Sequence, residues 1–265
     1  MLHYVFSNNA DSGTISNFKY TINLPSKHNR VSLVQCSIPK SFYIINDGYN
    51  TFSINSTQYT VTEGNYSVST FTTAINTLIS AFGSIALNEK TGKFVITSAT
   101  ASTLTIPEHS DLAPLFGFSD NVVKSFSDGS LTSDYVVNFG GVNEIYLTSS
   151  IVKDFSAGIF DDILHIIYPS QNVSFQTIQY VNPCVKDTGK DIAYGNSREI
   201  DIILKIPITF QLLDQDGVEI DLNGSNWSCV ILTWEETELK TYNMLKAYIN
   251  FKTNLEKENR IKSEN

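Results

Sequence analysis

A chain of 265 residues is long enough for one large β domain or two small ones, with a sizeable core. Its 27 acidic residues against 18 basic ones give a formal charge of −9, and no run of Lys and Arg builds a local basic patch. A surface made to grip nucleic acid directly is therefore not expected, because phosphate binding needs clustered cations. The bias toward Ser, Thr, Asn, Tyr, Phe, Ile and Val favours strands and polar turns over long surface helices.

The opening MLHYVFSNNADSG has neither a basic start nor a long apolar core, so no signal peptide is expected, and no apolar run reaches the length of a membrane span. Cys36, Cys184 and Cys229 lie far apart, each in or beside an apolar run, and read as small, buried, reduced side chains. With no export signal, the Asn-x-Ser/Thr sites at Asn55, Asn65, Asn172, Asn223 and Asn226 are expected to stay unmodified, in a product made inside a cell.

Phe18 to Leu24 alternates, with Phe18, Tyr20, Ile22 and Leu24 on one side, and predicts a strand. Arg30 to Ser37 predicts a second and Phe42 to Ile45 a third. Thr51 to Ile54 and Gln58 to Thr62 follow as short strands ended by Gly64-Asn65. Ser67 or Ser69 then caps a helix whose Val68, Phe71, Ile75, Leu78, Ile79 and Phe82 recur at three- and four-residue steps, one stripe on a period of 3.6, ended by Gly83. Ser84 to Leu87 and Lys93 to Thr97 form a hairpin around Asn88 to Gly92. The helix can hide its stripe only against one face of these strands, so the stretch is a small α/β unit in its own right.

Asp120 to Ser133 is rich in Ser, Asp and Gly and reads as a loop at a subdomain boundary. Strands return at Tyr135 to Phe139, Glu144 to Ile151, Ile163 to Tyr168 and Val173 to Val181, before a loop from Asn182 to Asn196. Ile200, Ile202, Leu204, Ile206, Ile208 and Phe210 share one parity and hence one sheet face, with Pro207 marking an edge, bulge or corner. Phe210 to Leu213 and Val218 to Leu222 read as a hairpin around Asp214 to Gly217, and Asn226 to Trp234 as the last strand. Some eight strands outside the α/β unit fit a mainly β protein, an antiparallel two-sheet sandwich.

From Glu235 the character changes. Leu239, Tyr242, Leu245, Tyr248 and Ile249 fall on one side of a C-terminal helix, with Lys and Glu elsewhere. A helix packed on its own domain and an arm docking on a neighbouring subunit both fit the pattern. In the arm reading Tyr242, Leu245, Tyr248 and Ile249 are the subunit contacts.

Taken in order, FKYTINLP, VSLVQCSIPKSFYIIN, GYNTF, EGNYSVSTF, AINTLI, DLAPLFGF and FQLLDQDGVEIDLNGSNWSCVILTW resemble the penton, or minor capsid, proteins of the polinton, virophage and adintovirus group. The resemblance covers roughly residues 1 to 235 and is carried by the order of the fragments. It implies a single jelly roll with first strands in 1–50, an inserted α/β subdomain in 51–118, the remaining strands in 119–235 and a helical tail in 236–265. It further implies a virion protein, assembled inside the host cell, that closes the five-fold vertices of an icosahedral capsid as a homopentamer. Its partners would be its own copies and the major capsid protein.

The search for chemistry yields no catalytic, cofactor or metal residue to name. His3, His28, His109 and His165 are scattered, with no Cys or His at metal-ligand spacing, and no nucleophile elbow, phosphate loop or dinucleotide fingerprint occurs. Asp214-x-Asp216-Gly217-x-Glu219-x-Asp221 is the nearest approach to a calcium loop, but it reads as a polar turn. Asp161-Asp162 reads as a loop before a strand. No enzyme is expected. A carbohydrate- or receptor-binding β-sandwich, spike- or lectin-like, is the alternative that aromatic residues and Asn/Asp loops also suit.

Overall fold

A computed structural model of the chain describes residues 1–100, 103–153, 160–169, 176–182, 197–200, 207–236 and 244–253. The chain divides into two compact units, one from Met1–Ser41 with the segment from Glu144 onward, the other Phe42–Asn143. The expected 51–118 segment lies inside the second unit, which extends beyond it at both ends.

The first unit is all antiparallel. One sheet places β1 (Leu2–Phe6) beside β17 (Ser228–Trp234), then β4 (Arg30–Pro39), then β14 (Thr177–Val181), with β15 (Arg198–Glu199) also on β4. The other runs β13 (Ile163–Ile167), β12 (Ile145–Ser149), β16 (Ile208–Leu213), β3 (Asn17–Tyr20) and β2 (Ser12–Gly13). Period-2 alternation sends Val5, Val31, Ile38, Cys229 and Ile231 of the first sheet, and Phe18, Ile145, Leu147, Ile208 and Phe210 of the second, into the core. Rings join the layers: Phe18 of β3 lies 5.4 Å from Trp227, just before β17, and His165 of β13 lies 4.3 Å from Tyr180 of β14. This is the expected β-sandwich.

The second unit holds β5 (Thr51–Ile54), β6 (Thr57–Thr60), α1 (Val68–Leu78), β7 (Ser84–Asn88), β8 (Lys93–Thr97), β9 (Thr103–Ile106), α2 (Leu112–Phe116), β10 (Val122–Ser125) and β11 (Ser130–Thr132). Its sheets run β10-β9-β5-β6 and β11-β8-β7. Ser67 caps α1: its Oγ accepts from the Thr70 N–H at 3.3 Å, while the Ser67 N–H donates to Thr70 Oγ1 at 2.9 Å. Phe71, Ile75 and Ile79 of the stripe are buried, and Phe71 meets Tyr66, Phe94, Phe116 and Phe139 at ring distances of 5.2–6.1 Å. Asn76 grips the edge of β7, its Oδ1 accepting from the Ile85 N–H at 2.7 Å and its Nδ2 donating to the Ile85 carbonyl at 3.1 Å. That satisfies backbone groups which an edge strand would otherwise leave open.

Several local expectations are corrected. Asp120 to Ser133 is not a loop: it carries β10 and β11, paired to β9 and β8 inside the second unit. Phe42 to Ile45 forms no strand, only a bridge from Ile45 to Gly64. Tyr135 to Phe139 forms no strand and bonds instead to α2 and the β7–β8 turn, with the N–H groups of Tyr135, Val137 and Asn138 donating to the carbonyls of Gly117, Gly92 and Pro114. Val218 to Leu222 keeps one bridge, Leu213 to Glu219, rather than a full hairpin. Helix α1 ends at Leu78, before Gly83. Gly83 is required because a Cβ there would lie 1.9 Å from the Thr97 carbonyl oxygen. Ile202, Leu204 and Ile206 lie outside the described residues; Ile200, Ile208 and Phe210 are buried.

Candidate functional site

The C-terminal helix, α3 (residues 244–253), is exposed at every position. Leu245, Tyr248 and Ile249 are 57%, 62% and 54% accessible, so in the single chain these side chains have no cover. Tyr242 and Leu239 lie outside the described residues. Met244 and Phe251, at 75% and 64% accessible, widen the apolar stripe. On a 3.6-residue period Phe251, Met244, Tyr248, Leu245 and Ile249 sweep about 160° of the helix surface, interrupted by Lys252 between Tyr248 and Leu245, with Lys246, Asn250 and Thr253 opposite. Spacing picked out Leu245, Tyr248 and Ile249; Met244 and Phe251 stand four residues before and three after Tyr248, so the same three-and-four steps extend to them.

A second apolar surface lies on the edge strand β1. Leu2, Tyr4 and Phe6 point away from the core and are 42–57% accessible. Their backbone edge is partly closed by the Tyr20 hydroxyl, which donates to the Tyr4 carbonyl at 3.3 Å.

The titratable groups are dispersed. The hydroxyl of Thr233 lies 3.0 Å from His3 Nε2 and 2.8 Å from His28 Nδ1, and one hydroxyl can donate to only one of these rings while accepting from the other. Burial, then the nearby amino terminus and His28, lower the His3 pKa. His109 is at the surface beside Glu108. His165 packs on Tyr180, and burial followed by the Arg198 charge lowers its pKa to about 4. The Asp214 loop is a turn, its Oδ1 accepting from the N–H groups of Asp216 and Val218 at 2.9 and 2.8 Å, while burial raises its pKa. Glu219 faces elsewhere, accepting from Thr14 Oγ1 at 2.6 Å and Asn17 Nδ2 at 3.4 Å. Among the described residues no three of His, Cys, Asp and Glu gather where a metal would be held. No described helix is long and apolar enough to cross a membrane.

No protein-family model matches the chain. No curated protein matches it either. Among solved structures the chain is similar to the penton protein of mavirus, at 13% sequence identity and a TM-score of 0.42, over 88% of this chain and 97% of that one.

Proposed function

We propose that the chain is a virion structural protein, a penton or minor capsid protein whose sandwich is a single jelly roll and which assembles as a homopentamer at the five-fold vertices. The observation that carries this reading is the layout of the chain. One antiparallel sandwich is built from both ends of the sequence, with a compact α/β unit inserted between Ser41 and Glu144. The ordered sequence fragments implied that arrangement for a penton. In this reading the protein works by shape. Copies related by a five-fold axis meet through heterologous, ring-closing interfaces, each burying roughly 1,200 Å² or more. The major capsid protein is the second partner, met in the assembled shell.

Within the ring, α3 is the arm that reaches a neighbouring copy. Leu245, Tyr248 and Ile249, with Tyr242 upstream, form the contact, because an exposed aromatic and aliphatic stripe gains only when a partner covers it. The test is light scattering on the purified full chain. A mass five times that of the monomer supports the proposal. A monomer with measurable glycan affinity supports instead the carbohydrate- or receptor-binding sandwich. Leu245→Asp with Tyr248→Asp should shift a pentamer toward monomer while leaving monomer stability within about 0.5 kcal/mol, since both side chains are already exposed. An unchanged pentamer in that variant removes α3 from the interface without removing the ring.

A further inference from the structure

Cys36 and Cys229 are free thiols, both buried, and they stand directly opposite each other on the adjacent antiparallel strands β4 and β17. Which kind of pair they form follows from the backbone hydrogen bonds on either side. The Ser7 N–H donates to the Trp227 carbonyl at 3.0 Å and the Thr233 N–H to the Met1 carbonyl at 2.9 Å. With Val5 opposite Cys229, the odd-numbered residues of β17 therefore aim their backbone groups at β1 and away from β4. On the other strand the Asn182 N–H donates to the Val34 carbonyl at 2.8 Å and the Lys40 N–H to the Gln176 carbonyl at 2.7 Å. With Tyr180 opposite Cys36, the even-numbered residues of this stretch of β4 aim theirs at β14 and away from β17. Both strands give the same answer: Cys36 and Cys229 are a non-hydrogen-bonded pair. Cα atoms in such pairs sit about 4.5 Å apart with the side chains drawn together, inside the window of about 4.4–6.8 Å that a disulfide spans.

A cavity of about 170 Å³ is lined by residues 35–37, 179–181 and 228–230. Both thiols are buried toward the core, whereas Gln35, Ser37, Gln179, Val181, Ser228 and Val230 stand on the opposite face of the sheet, so a peroxide reaches the sulfurs by local opening of the strands.

We propose that Cys36 and Cys229 are a modification site, a paired thiol that a small peroxide converts to a cross-strand disulfide stapling β4 to β17. In the first step a thiolate sulfur attacks the peroxide; an S–O bond forms, the O–O bond breaks, and the leaving hydroxide takes a proton to become water. The second sulfur then attacks the sulfenic sulfur, an S–S bond forms, the S–O bond breaks and a second water leaves. The two sulfurs lose two electrons and the peroxide gains them. Burial pushes both thiol pKa values up, that of Cys229 to about 12, and the Cys229 charge adds to the rise at Cys36. At neutral pH both are therefore protonated and the staple closes slowly. The inference rests on strand register alone and stands independently of the capsid reading.

The test treats the folded full chain with hydrogen peroxide at pH 7 and pH 9, blocks residual thiols in denaturant and maps the peptides without reduction. A Cys184→Ser background removes the third thiol as a competitor. A peptide linking Cys36 to Cys229 is expected, with a mass loss of two hydrogens. Its formation rate should rise about tenfold per pH unit, and dithiothreitol should reverse it. The oxidised protein should unfold several degrees higher than the reduced protein. Sulfinic or sulfonic acid on either cysteine without a link, or no linked peptide at pH 9, overturns the proposal. Cys229→Ser should lose the link, and if that variant does not fold, the peptide map of the unsubstituted pair still decides.

Discussion

His165 shows how one buried ring sets a pH dependence. Its neutral form is favoured because burial strips water from the imidazole and the Arg198 guanidinium, whose Nε donates to the Ile163 carbonyl at 3.3 Å, repels a second positive charge. With a folded pKa near 4 and an unfolded value of 6.5, the unfolded chain binds more protons between those limits. The stabilisation is thus fully present above pH 6.5, falls as the pH drops through the window and is gone below about pH 4. The ring is partly exposed, so solvent screening reduces the effect to about 1–2 kcal/mol. Urea titrations at pH 7.5 and 4.5 should show that loss in the wild type, and His165→Gln should reduce it. An equal loss in the variant would assign the pH dependence to other groups. Position 165 was legible in the sequence as an ordinary strand residue, but the charge beside it was not, because Arg198 lies more than thirty residues away in the chain.

At the scale of elements, legibility followed local periodicity. The stripe of α1 and the alternation of β5 and β8 are written in consecutive residues; the two strands stand where their patterns placed them, and α1 begins at its cap but ends at Leu78, short of Gly83. Strands β10 and β11 were hidden because their partners β9 and β8 supply the pairing, while their own residues, VVKS and SLT, carry the Ser and polar content of a loop. Short α2 was missed for a similar reason: Leu112, Ala113, Leu115 and Phe116 are all buried, so no polar face signals a period. Helix α1 is rich in threonine, and Thr72, Thr73 and Thr77 donate back to carbonyls four residues earlier, so its intrinsic propensity is low. It therefore depends on its cap and its packing. Ser67→Ala should cost about 1 kcal/mol, whereas Ser69→Ala, one turn position inside the cap, should cost less than about 0.5 kcal/mol. Denaturant midpoints of the two variants measure the difference. Equal costs would mean that the Ser67–Thr70 box contributes nothing.

For the whole molecule, the sequence indicated a sandwich and an inserted α/β unit, while the extent of the insertion depended on contacts distant in sequence. Leu131 is buried in the second unit's core, Val137 packs against that core, and the Phe139 ring lies 5.4 Å from Phe71 and 6.4 Å from Phe94. Gly117 at the end of α2 has φ of 77°, and a Cβ there would lie 2.5 Å from the Tyr135 carbonyl oxygen, so the chain after residue 118 closes tightly over α2. A fragment ending at Phe118 lacks β10, β11 and this closing segment, and it exposes β8 and β9 as raw edges. We therefore expect residues 42–143, expressed alone, to unfold cooperatively in urea with dispersed amide resonances. Residues 48–118 should give a collapsed or aggregating chain without a cooperative transition. The underlying argument is that burial of Phe71, Phe94 and Phe116 is a shared property of segments on both sides of residue 118. Cooperative folding of the shorter fragment would show that α1 and its hairpin need nothing beyond Phe118 to close their core.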